Sequence, residues 1–232
     1  MKILQKILHT LLFCAAFIPT FTHAQIGIIA EYPLILNLSD STGDNGDMFL
    51  LGESPPTPPS NGVELCTNGI SIFEPGGQDI QTPTITGLDI TNFQLDVQFK
   101  PTAFTDGNQF PYYPIVTGGT TSAWIAILID PVGRIGLKFN AQGNSIIWSG
   151  TVISLSPNFQ NAQLRYENGA VTVFINGALA ISDNIPALIS MNDDLNISLT
   201  DFTTSLVFHG CIKNLQISSP QDTVFANGFD PS

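Results

Sequence analysis

The sequence has little charge, and very little of that charge is basic. Charged residues make up 11% of its 232 residues, with seven Lys and Arg against 19 Asp and Glu, so the net charge is −12. That balance excludes nucleic acid, or an anionic membrane surface, as a partner held by electrostatics. Histidine is scarce: only His9, His23 and His209 occur. Cysteine is scarcer still in useful positions, with Cys14, Cys66 and Cys211. One downstream His and two Cys that suit a disulfide cannot build a His–Cys or three-His zinc site. No nucleophile-elbow pattern accompanies His209 to suggest a Ser–His–Asp triad, so it reads as a strand surface residue. Heptads and repeats of 20 to 50 residues are absent, which excludes coiled coils and solenoids.

A long apolar run is also missing. The longest opening stretch, 11–18, is ended by Pro19, short of the roughly 20 residues a membrane-spanning helix needs. Lys2 and Lys6 before it, and Thr22-His23-Ala24 after it, give residues 1–24 the layout of a signal peptide cut before Gln25. Phe13 before Cys14 argues against a lipid-anchored cysteine. Removing 1–24 takes away Lys2 and Lys6 and no acid, which moves the net charge from −12 to −14. The length that remains fits one domain with a large core. In an exported chain the remaining pair predicts a disulfide, Cys66–Cys211.

What is present is turn chemistry and alternation. There are 20 Gly and 16 Pro. Residues 162–181 read AQLRYENGAVTVFINGALAI, with Asn168-Gly169 and Asn176-Gly177 punctuating three extended runs. Asn-Gly tolerates the positive φ that type I′ hairpin turns require. Val171, Val173 and Ile175 alternate with Thr172, Phe174 and Asn176, the period of a strand. Phe93, Leu95, Val97 and Phe99 alternate with Gln94, Asp96, Gln98 and Lys100, the pattern of a half-buried strand. Residues 122–129 are apolar on both faces and predict a central strand. Asp130-Pro131-Val132-Gly133 predicts a turn. Strands are also expected over 26–38, with an edge or bulge at Pro33, and over 69–74, 110–118, 145–150, 195–199 and 208–217. The proline-rich 54–62 is expected to be a loop, and 186–191 a single helical turn. About 12 strands and no long helix predict an all-β, two-sheet antiparallel jelly-roll sandwich over 25–218, with a tail at 219–232.

Several of these stretches carry a family resemblance. Val173-Phe174-Ile175-Asn176-Gly177 resembles the middle strand and turn of laminin-G-like and concanavalin A-like lectin-glucanase domains. So do 30–46 (AEYPLILNLSDSTGDNG), the 93–101 segment ending in Lys100-Pro101, and the closing segment 208–217 (FHGCIKNLQI). The family's usual Trp in the second of these segments is replaced by Val97 or Phe99. Family glycoside hydrolases use an E-x-D-x-x-E strand. None of the five Glu here, Glu31, Glu53, Glu64, Glu74 and Glu167, has that context, and the paired carboxylates such chemistry needs must then come from separate segments. Calcium is the cofactor expectation, because oxygen-rich turns suit that ion. The candidate ligands are Asp40, Asp44 and Asp47 in one turn and Asp193 and Asp194 in another. Lys213 stands where related calcium-binding domains carry an aspartate. Tyr112 and Tyr113, framed by Pro111 and Pro114, are the candidate ligand-stacking aromatics. The tail 223–230 (TVFANGFD) resembles a short ending found on exported proteins of some Gram-negative bacteria.

The reading is a secreted bacterial binding or adhesion module, for carbohydrate or an extracellular protein, assisted by calcium. The alternatives are a glycan-active hydrolase with non-contiguous carboxylates and a purely structural surface protein. A close carboxylate pair would favour the first alternative, and a flat face without a groove the second.

Overall fold

The computed structural model describes residues 26–35, 37–50, 63–66, 68–72, 80–85, 88, 91–104, 111–119, 124–139, 145–185, 196–199 and 208–220. The signal segment expected over 1–24, the loop expected over 54–62, the helical turn expected over 186–191, the candidate ligands Asp193 and Asp194, and residues 221–232 of the expected tail lie outside the described residues.

The strands are β1 Ile26–Tyr32, β2 Phe49–Leu50, β3 Val63–Cys66, β4 Gly69–Ile72, β5 Ile80–Gln81, β6 Asn92–Pro101, β7 Tyr113–Gly119, β8 Trp124–Ile129, β9 Arg134–Phe139, β10 Ser145–Val152, β11 Gln160–Glu167, β12 Ala170–Ile175, β13 Ala178–Asn184, β14 Asn196–Ser198 and β15 Gly210–Pro220. They form two antiparallel sheets. Sheet one runs β13-β12-β11-β6-β15-β4-β3, with β1 also paired to β15; sheet two runs β10-β9-β8-β7-β14-β5-β2. The inward residues of both sheets share one core. Phe93, Leu95, Val97 and Phe99 of β6 meet Ile125, Ile127 and Ile129 of β8 in it. Phe93 packs on Tyr166 at 5.3 Å and Phe99 edge-on to Phe208 at 5.8 Å.

The hairpins follow from the turn residues. Asn168 and Gly169 have φ of 49° and 94°, and Asn176 and Gly177 have 52° and 78°, the left-handed pair that a two-residue hairpin needs. They fix β11, β12 and β13 in register, Leu164 opposite Val173 and Val173 opposite Ile181. β8 is buried along its whole length and lies inside sheet two. The long first strand expected over 26–38 is shorter: β1 ends at Tyr32, and Leu34 turns with φ of 55°. Pro33 has no N–H to continue a ladder, and its carbonyl accepts from the Asn214 N–H at 3.0 Å instead. Asn214, with φ of 50°, lies in the bulge of β15. The first part of β15 pairs with β4 and its last part, through Pro220, with β1. Cys66, at the end of β3, is joined to Cys211 of β15, with Cα atoms 6.2 Å apart. The bond ties the edge of sheet one to its interior.

Candidate functional site

The outward faces of the two sheets differ in chemistry, and the sequence-predicted residues divide between them. Tyr112 lies on sheet two. It is 7% exposed and packs with Trp124, Ala126 and Leu128, bordered by Ile146 and Trp148. Lys138, 5% exposed, donates from Nζ to the Tyr112 hydroxyl. Its ammonium also sits 4.6 Å from the Tyr112 ring centroid and 4.7 Å from that of Trp124. Beside it Trp148 lies on Gly136, where an added Cβ would come within 2.6 Å of the indole. Arg134 covers that indole at 5.2 Å and pairs with Asp130 at 2.6 Å. Tyr113 points the other way, into the core, edge-on to His209 at 5.1 Å. His209 is half-buried rather than on an open surface. Neither tyrosine presents a ring to solvent.

The 40–47 turn is a hydrogen-bonded scaffold. Asp40 Oδ1 accepts from the Glu31 N–H at 3.0 Å and the Thr42 N–H at 3.1 Å. Its Oδ2 accepts from the Thr42 hydroxyl at 2.7 Å and the Asn45 N–H at 3.0 Å. Burial alone would raise the Asp40 pKa, but these donors outweigh it and hold the carboxyl below its usual range. Tyr32 donates to the Gly46 carbonyl at 3.1 Å. Burial, then the nearby Asp40 and Asp47 charges, push its phenol up. Asp44 and Asp47 are exposed. Both Asp40 oxygens thus accept from N–H and O–H donors of the 31–45 segment. Among the described residues no group of three or more His, Cys, Asp or Glu is placed to hold a metal ion.

Sheet one carries the polar face that sequence reasoning missed. Register sets Arg165 of β11 opposite Gln94 of β6, and Gln163 opposite Asp96. Gln94 and Gln163 donate from Nε2 to the two oxygens of Asp96, the latter at 2.7 Å. Arg165 Nε donates to Gln94 Oε1 at 3.0 Å, and its guanidinium lies 5.1 Å from the Phe174 ring centroid. Further along, Asn214 Nδ2 donates to Gln98 Oε1 at 3.1 Å. At the far end Lys213 and Lys100 stand 4.2 Å and 5.4 Å from the Phe159 centroid. From Gln94 to Lys100 this face is about 20 Å long, at roughly 3.3 Å per strand residue. A shallow cleft of about 380 Å³ opens at the Lys100 end, lined by Lys100, Pro101, Thr102, Leu155, Ser156 and Pro157.

Two outward carboxylates share a register row, Asp96 and Glu31, both paired across Gln216 of β15. The intervening strand puts them roughly 10 Å apart, too far for the retaining pair at about 5 Å and near the upper limit of about 9.5 Å for an inverting pair. Glu31 also accepts from the Ser41 hydroxyl at 2.8 Å.

No protein-family model matches the chain, and no curated protein matches it. Solved structures do share its fold. Domain 4 of AbnA, a GH43 extracellular arabinanase from Geobacillus stearothermophilus, solved in complex with arabinotriose, is 19% identical with a TM-score of 0.63. That match covers 84% of this chain and 94% of the other. The botulinum neurotoxin serotype D binding domain is 16% identical with a TM-score of 0.55, over 83% of this chain and 48% of its own. A Trypanosoma rangeli sialidase is 12% identical with a TM-score of 0.58, over 82% and 30%. At these identities the likeness establishes a jelly-roll-like, all-β fold of two antiparallel sheets.

Proposed function

We propose that the sandwich is a secreted, non-catalytic carbohydrate-binding module whose ligand lies on the outward face of sheet one. The observation that carries this reading is the Arg165–Gln94–Asp96–Gln163 row. Sugar hydroxyls both donate and accept, and amide, carboxylate and guanidinium groups held on rigid strands meet them without ordering cost. Arg165 commits one of its five N–H donors to Gln94. Phe174, opposite Gln163 on β12, and Phe159, at the Lys100 end, add half-buried apolar surface under the cations that lie on them, the mixture a sugar ring needs. Support comes from the arabinanase domain, which spans nearly the same length and was solved with an oligosaccharide. The laminin-G-like likeness is part of this proposal, supported by the place of β15 inside sheet one.

The test is oligosaccharide binding by calorimetry, beginning with arabinotriose and a neutral glycan array. Wild type binds at least one member. Arg165→Ala and Gln163→Ala each weaken that binding by about tenfold or more, as loss of a central polar contact does. Repeating the titration in calcium and then in EDTA tests the calcium expectation separately: weaker binding in EDTA supports calcium assistance, and unchanged binding retires it. Binding that is unchanged in both variants refutes the placement.

A further inference from the structure

The five basic residues outside the signal segment all lie over aromatic rings: Lys100, Arg134, Lys138, Arg165 and Lys213. Two of the five share one ring, that of Phe159. Lys100 comes from β6 and Lys213 from β15, and their side chains converge across adjacent strands in a chain with an excess of acids. Among the described residues neither forms an ion pair; the one ion pair there is Arg134–Asp130. Both ammonium groups thus lie close to one ring, 5.4 Å and 4.2 Å from its centroid, with no carboxylate of the described residues within ion-pair distance of either. The cleft beside Lys100 adds the hydroxyl-bearing Thr102 and Ser156 to the apolar Leu155 and Pro157.

We infer that the Lys100–Phe159–Lys213 corner is a subsite for a sugar carboxylate, so that the module selects glycans carrying an acidic residue. This rests on the carbohydrate-binding reading above and names its ligand class. A carboxylate accepts charge-assisted hydrogen bonds from both ammonium groups, while its ring enters the cleft. The net charge of −12, or −14 without the signal segment, limits the ligand further. A long polyanion is repelled by the protein as a whole, whereas a single carboxylate within the screening length of about 8 Å feels the two lysines first. The ligand class is therefore an otherwise neutral glycan with isolated acidic residues.

The experiment pairs each neutral oligosaccharide of an array with the same oligosaccharide bearing one uronic acid, and with its methyl ester. The protein is the chain from residue 25 to 232. Wild type binds the acid form about tenfold more tightly than the ester. The double variant Lys100→Met, Lys213→Met loses that preference and keeps neutral binding, because methionine retains an apolar stem against Phe159. Lys213→Arg retains the preference. Equal binding of acid, ester and neutral forms overturns the subsite and leaves the carbohydrate-binding reading standing. Tighter binding of a sulfated counterpart than of the acid also overturns it. No binding of any member overturns both.

Discussion

The outward faces of the two sheets use the same strand alternation for opposite ends. On sheet two, Trp124, Tyr112 and Lys138 form a closed aromatic cluster in which even the ammonium is buried. On sheet one, the corresponding positions carry amides, a carboxylate and a guanidinium bonded to one another, with Gln94 buried, Asp96 and Gln163 half-buried and Arg165 exposed. A closed face contributes stability; a half-open polar face gives up some of that burial and keeps groups ready for a ligand. The contrast places a second packed cluster on the outer face of sheet two and the proposed binding surface on that of sheet one.

Substitutions on the two faces should therefore give opposite signatures. The largest loss of stability is expected at Trp124→Ala, roughly 3–5 kcal/mol in urea unfolding, as for other buried aromatics. A loss below about 1 kcal/mol would show that the sheet-two face is not a second core. Next comes the Cys66–Cys211 bond, which closes a loop with a sequence separation of 145. Opening it by Cys66→Ala with Cys211→Ala should cost roughly 2–5 kcal/mol, read as a lower urea midpoint.

Asp40→Ala removes an acceptor from four donors and should cost about 2 kcal/mol. The Asp40 carboxyl is held below its usual range in the fold. Its contribution is therefore present above the unfolded value of about 3.9 and is lost as pH falls below that. Asp40→Asn should flatten that part of the stability–pH curve; an unchanged slope below about pH 4 would count against the scaffold role. The smallest stability effect belongs to Arg165→Ala, within about 0.5 kcal/mol as at other exposed positions. It is one of the two variants for which a binding loss of about tenfold or more is expected.

How much of this was legible in the sequence depended on the range of the signal. The Asn-Gly turns and the β6 alternation are local, and both elements stand where the residues place them. The end of β1 was hidden because 26–38 is apolar almost throughout; Pro33 marked the break, and Leu34 turns there with a positive φ. Tyr112 and Tyr113 are neighbours in sequence, but Tyr112, just before β7, joins the outer cluster while Tyr113, its first residue, packs in the core. The Arg165–Gln94–Asp96–Gln163 row was missed because polar residues at every second position of a strand look like an ordinary solvated face. Only the β6–β11 register brings residues some 70 positions apart into one network. A cue was available: both Gln94-x-Asp96-x-Gln98 and Gln163-x-Arg165 place long planar polar groups on alternate positions.

The most direct test of the account is amide chemical-shift mapping by NMR during titration with the tightest-binding oligosaccharide of the array. The account predicts perturbations concentrated on β6, β11 and β15, at Gln94, Asp96, Gln163, Arg165 and Lys213, with Trp124 and Lys138 of sheet two unmoved. Perturbations centred on Tyr112, Trp124 and Trp148, with β6 and β11 silent, would contradict it.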